Sequence, residues 1–227
     1  MERMKLFAGI IVLGSLWGFA ECIIGPAMGD AGLPSGAIMT SVFAIGLMMM
    51  SRMLFKRRGM QLGMGLVAGA LRMFNPFGGC VICSAIAIAA EGLLFELIWY
   101  KMSFDFSELK TNTMKVSMGI VTAYSCYVGG YVITQILTPM IASAGFYIEN
   151  LIVFMPQILA RGLLAAIVGG IMIPMIFVLK NININNVKDR IYYPTAVAIS
   201  ILCWVAVISN ALLDLPWEMQ VYPLVPL

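Results

Sequence analysis

The feature that most limits what this chain can fold into is a succession of apolar runs, each close to the length of a membrane-crossing helix, separated by short polar segments. An α-helix needs roughly 20 apolar residues to cross the hydrocarbon core of a bilayer. Read with that ruler, the sequence gives spans over about 6–24, 36–55, 59–73, 79–100, 114–137, 151–179 and 193–213. The chain has 227 residues, 61% hydrophobic and 11% charged, against about 25% charged in a soluble domain. Outside the runs, no stretch exceeds about 15 residues, too little for a separate soluble domain. The expectation is one all-α polytopic transmembrane domain over residues 1–227.

The first run follows the basic start Arg3 and Lys5, as a secretory signal would, and Ala27-Met28-Gly29 resembles a cleavage site. The run is longer than a signal core, however, and Glu21 interrupts its end, so it reads as a retained helix. Phe74-Asn75-Pro76-Phe77-Gly78-Gly79 is turn chemistry and separates the third span from the fourth. Pro156 suits a helix start and Pro174 predicts a kink.

Loop charges give the orientation. With seven spans and a cytoplasmic N-terminus, the inner segments carry Arg3 and Lys5; Arg52, Lys56, Arg57 and Arg58; Lys101, Lys110 and Lys115; and Lys180, Lys188 and Arg190. That is twelve of the 14 basic residues. The outer segments carry none, as the positive-inside rule requires. The C-terminus is then outside. A net charge of +3 with no basic stripe excludes a nucleic-acid partner.

Ionisable residues inside a membrane span are functional candidates by default, because each costs roughly 2.5–3.5 kcal/mol at a helix centre on insertion scales. Glu96, near the inner end of the fourth span, reads as a residue that snorkels to water. Glu91 lies nearer mid-depth, as a polar group within the membrane. Glu21, Arg72 and Arg161 come from three helices but share one depth near the outer face. Asn75 and Gln157 fall at the same level, and Trp17 sits one turn below Glu21 on the same helix face. The expectation is a polar cluster open to the outside, where two arginines against one glutamate leave a surplus of positive charge for a carboxylate or phosphate. The alternative is a charge pair that locks the bundle and binds nothing. Residues 25–36, with four glycines and two prolines, form either a lid over this cluster or an ordinary turn.

Gly14-x3-Gly18, Gly59-x3-Gly63, Gly65-x3-Gly69 and Ala165-x3-Gly169 are small-residue pairs that let helices approach closely, within the bundle or against another membrane subunit. Cys80-Val81-Ile82-Cys83 could serve a redox or soft-metal role; the alternative is that these cysteines are small packing residues. The chain has no histidine and no nucleotide-binding or hydrolase motif, so neither enzyme activity nor a bound cofactor is expected.

Taken together, the sequence resembles the substrate-binding S components of energy-coupling factor (ECF) transporters. The resemblance rests on the chain length and hydrophobicity, on Gly14-x3-Gly18 in the first helix, on the glycine-rich stretch Gly63 to Arg72, and on Phe154 to Gly170 with Pro156 and Arg161. It covers roughly residues 5–180. Those proteins have six helices, and the span at 193–213 is additional. The resemblance implies capture of a vitamin-like or other small nutrient at the outer face, with a transmembrane coupling protein and ATPase subunits as partners. The leading expectation is therefore a small-molecule-binding subunit of an importer in the plasma membrane of a bacterium or archaeon. Trp17, Glu21, Arg72, Asn75, Gln157 and Arg161 would form its site. The alternatives are a redox or metal-handling membrane protein using Cys80 and Cys83, and a structural subunit of a membrane complex.

Overall fold

A computed structural model describes residues 3–75, 81–101, 109–141, 148–181 and 187–214. Among these, all regular structure is helical. Six helices are long and apolar enough to cross a membrane: α1 (Arg3–Asp30), α2 (Ser35–Phe55), α4 (Val81–Tyr100), α5 (Asn112–Ile141), α6 (Leu151–Leu179) and α7 (Asp189–Leu213). The segment expected as the third span is a helix of 13 residues, α3 (Met60–Arg72), about 20 Å long at 1.5 Å per residue. It is well short of the roughly 30 Å hydrocarbon core. Helices are what an apolar chain must form in lipid, where no water is available to satisfy backbone N–H and C=O groups.

The α2–α3 connection is tight because Lys56 (φ 50°) and Gly59 (φ 83°) both take the left-handed conformation. At Gly59 this costs nothing, since glycine has no Cβ to clash. Glu96 of α4 lies beside the backbone N–H groups of Gly59, Gln61 and Leu62 at the start of α3, with its Oε1 buried and unpartnered. Glu96, expected to snorkel, is half-buried and stands where a negative charge suits a helix N-terminus.

Except at Gly59, which faces open space, the small-residue pairs are spent inside the bundle. A methyl group on Gly14 would stand 2.7 Å from Val67 Cβ, and one on Gly18 2.9 Å from Leu71 Cβ. These two glycines therefore set α1 against α3, side by side and running in the same direction. Gly65, Gly69 and Gly92 do the same for α3 against α4. There, added methyls would fall 3.0, 2.9 and 2.6 Å from the carbonyl oxygens of Ile88, Ala85 and Gln61. Gly119 and Gly169 join α5 to α6, with the Gly119 methyl position 2.3 Å from Gly169 O. Where lipid is as apolar as leucine, close van der Waals approach of this kind is what holds helices together.

α2 is the most buried of the six long helices. Met48, Met49, Met53 and Phe55 join Trp17, Met60, Met64, Phe95 and Trp99 in the main core. Flexible methionine side chains fill the irregular gaps between crossing helices. α7 packs on the outside, chiefly against α1. Trp204 Nε1 donates to Ser15 Oγ at 3.0 Å, Tyr192 donates to the Lys5 carbonyl at 2.9 Å, and Lys5 pairs with Asp189. α7 is therefore parallel to α1.

The two ends of the bundle differ. At one end Lys5 meets Asp189, the Tyr100 hydroxyl donates to Arg57 O, Arg52 lies 4.0 Å above the Tyr100 ring and Lys115 4.8 Å above Phe177. Basic residues of α1, α2 and α5 thus gather with the start of α7. The opposite end holds the α1–α2 turn, the end of α3 and a large cavity.

Candidate functional site

Two helices change register where they reach this cavity. α1 passes through a π-turn at Ala20–Ile24 and α2 through another at Met39–Ala44. Each inserts an extra residue into a turn, widening the helix and redirecting its side chains. Glu21, Cys22 and Ile23 of the first π-turn, and Met39 and Thr40 of the second, line the cavity.

The distortion in α1 has a covalent cause and a tertiary repair. Pro26 has no N–H to give to the carbonyl of Cys22, four residues back. Asn75 supplies the missing donor, its Nδ2 lying 2.7 Å from Cys22 O, and Arg72 Nη1 donates to Asn75 O at 2.6 Å. Cys22 Sγ in turn lies 3.8 Å from Leu71 O. Asn75 is fully buried and Arg72 nearly so. The end of α3 is thereby clamped onto the π-turn of α1. Glu21 accepts from Trp17 Nε1 at 3.2 Å and is within electrostatic reach of both Arg72 and Glu91.

The cavity has a volume of about 1090 Å³ and is walled by all seven helices, just above the ~300–1,000 Å³ typical of small-molecule sites. Across it from Glu21 stands Glu91 of α4, whose side chain is 7% exposed. Thr40 donates to Glu91 Oε1 at 2.6 Å, while Glu91 Oε2 is buried with no hydrogen-bond partner. Ser84, Tyr127, Tyr131, Gln135 and Asn210 add polar groups to the wall.

The expected cluster is thus gathered only in part. Glu21, Arg72 and Asn75 line the cavity, as does Glu91, and Trp17 lies beneath, completely buried. Gln157 and Arg161 are at the exposed surface of α6; from that helix the cavity receives Ile158 instead. The Arg161 guanidinium lies beside the Tyr127 hydroxyl and so stands behind the wall. The expected positive surplus is reversed: the charged lining residues are Glu21, Asp30, Glu91 and Arg72. Residues 25–36 are not a loose lid. Gly25–Asp30 continues α1, α2 begins at Ser35, and residues on both sides of the turn form the cavity wall.

Thr40, Tyr127, Tyr131 and Asn210 carry no charge and follow no motif, so their place in the wall has no sequence signal. Pro26 within an apolar run is the one local sign of the π-turn. Cys80 lies outside the described residues; Cys83 is disulfide-bonded and borders the cavity. Among the described residues, no three Cys, Asp or Glu side chains are grouped to hold a metal ion. No protein-family model, curated protein or solved structure matches this chain.

Proposed function

We propose that the chain is the small-molecule-binding subunit of a membrane importer, which captures its ligand from outside the cell in the cavity bounded by Glu21, Arg72 and Glu91. One observation carries this reading. A bundle packed mainly with apolar side chains keeps an ionisable cavity of about 1090 Å³ at the end opposite Lys5, Arg52, Arg57 and Lys115. Buried ionisable groups in lipid are costly, and a cavity that retains several has a use for them. In this reading the basic end faces the cytoplasm, the chain crosses seven times with α3 as a short span sheltered by its neighbours, and the cavity opens outward.

The likeness to ECF S components supports the same function and adds partners, a transmembrane coupling protein with ATPase subunits. The helix beyond their six corresponds to α7, which lies on the outside of α1. Gly14 and Gly18 are taken up by α3, so a coupling protein would contact other faces.

The test is to tag the chain in its host, purify it in mild detergent and identify every co-purifying protein by mass spectrometry. ATPase subunits recovered with a membrane coupling protein are the expected result. Recovery of the chain alone, with no small molecule released on denaturation, overturns the proposal.

A further inference from the structure

From the cavity's own chemistry we infer that its ligand is an organic cation, an ammonium or amidinium group on an apolar or aromatic body, held by Glu91. The inference rests on the binding-subunit reading and names the ligand class that reading leaves open.

Among the described residues lining the cavity, Glu91 Oε2 is the one buried side-chain polar atom without a hydrogen-bond partner. Asn75 Nδ2 is spent on Cys22 O, Arg72 Nη1 on Asn75 O, and Glu21 Oε1 on Trp17. Thr40 takes Glu91 Oε1. Glu91 Oε2 remains, buried, bordering the cavity and without a donor. A carboxylate oxygen left bare in an apolar bundle is expensive, and a cationic N–H donor is the group that satisfies it most strongly.

The charge balance points the same way. Three acids and one base line the cavity, and the base lies within reach of Glu21. An anionic ligand would meet Glu91 and Asp30 with Arg72 as its only charged partner among the lining residues. A cation would instead complete the pairing. Tyr127 and Tyr131 border the same space as Glu91 and offer aromatic surface to the rest of such a ligand. No third Cys, Asp or Glu joins the two glutamates as a metal-holding group among the described residues, which favours an organic cation over a metal ion.

The test uses the full chain in lipid nanodiscs and three probes that share one body and differ in headgroup: phenethylamine, 2-phenylethanol and phenylacetate. At millimolar concentration phenethylamine should raise the thermal unfolding midpoint, and the other two should not. Glu91→Gln keeps the side-chain shape and should weaken phenethylamine by at least about tenfold, the worth of one charge-assisted hydrogen bond. Asp189→Asn, at the opposite end, should leave it unchanged. A second measurement needs no variant: phenethylamine should slow modification of Glu91 by dicyclohexylcarbodiimide, mapped by peptide mass spectrometry, and phenylacetate should not. A midpoint raised by phenylacetate alone overturns the cation inference and leaves the binding-subunit reading standing. No effect of any probe, or a phenethylamine effect that survives Glu91→Gln, also overturns the inference, whereas the importer reading is judged separately by its co-purifying subunits.

Discussion

Helix α1 meets α3 in two different ways within a few turns. Over its middle, Gly14 and Gly18 bring the two backbones together, and a single added methyl would fall under 3 Å from α3. Beyond the π-turn the contact is made by Asn75 on the Cys22 carbonyl, braced by Arg72, beside a cavity of about 1090 Å³. The first contact is maintained by shape alone and has no tolerance for volume. The second is maintained by matching donors to acceptors, and it tolerates space but not an orphaned polar atom. The difference teaches that α1 can open beside a cavity here because a side chain replaces the backbone hydrogen bond that Pro26 removes.

The comparison can be broken at each contact, and the largest effect is expected at the seam. Gly14→Leu should destabilise the bundle by about 3 kcal/mol or more, the top of the range for overpacking, because one neighbour is the Met64 backbone carbonyl, 2.8 Å from the new Cβ, and cannot move aside. Unfolding in detergent would read the loss, and an unchanged midpoint would mean that the α1–α3 seam is not as close as described.

Asn75→Leu should cost about 2 kcal/mol, the penalty for leaving the buried Cys22 carbonyl without the donor that Asn75 Nδ2 supplies. Asn75→Asp should not restore stability, since its carboxylate has no N–H for Cys22 O. Equal stability of Asn75→Leu and the native chain would remove the clamp from the explanation of the π-turn.

Glu91→Gln should act in the other sense. Removing an incompletely partnered buried carboxylate should stabilise the ligand-free chain by about 1 kcal/mol, in the manner of functional residues retained at a cost to stability. A destabilised Glu91→Gln protein would instead mark Glu91 as structural, closer in kind to Glu96.

The smallest effect belongs to the peripheral helix. Trp204→Phe removes the bond to Ser15 but keeps the ring, and hydrogen bonds between membrane helices average about 0.6 kcal/mol. A loss several times larger would show that α7 is integral to the bundle.

Much of this molecule follows from sequence by itself: helices throughout the regular structure of the described residues, six of them long and apolar enough to cross a membrane and near their expected places, and Glu21, Arg72 and Asn75 at one level. Position along a membrane helix is legible because each residue advances 1.5 Å and apolar length is measured against a fixed thickness. The direction a residue faces is not. In a soluble helix the polar side marks the exterior, but here the packed side and the lipid side are both apolar and periodicity loses its meaning. Tertiary packing therefore decided what depth could not. It turned Arg161 and Gln157 to the surface of α6 and Glu91 into the cavity, and set Glu96 beside the start of α3. Through those turns of a helix about its own axis, it made the site acidic where the residues of that level, counted along the chain, were basic.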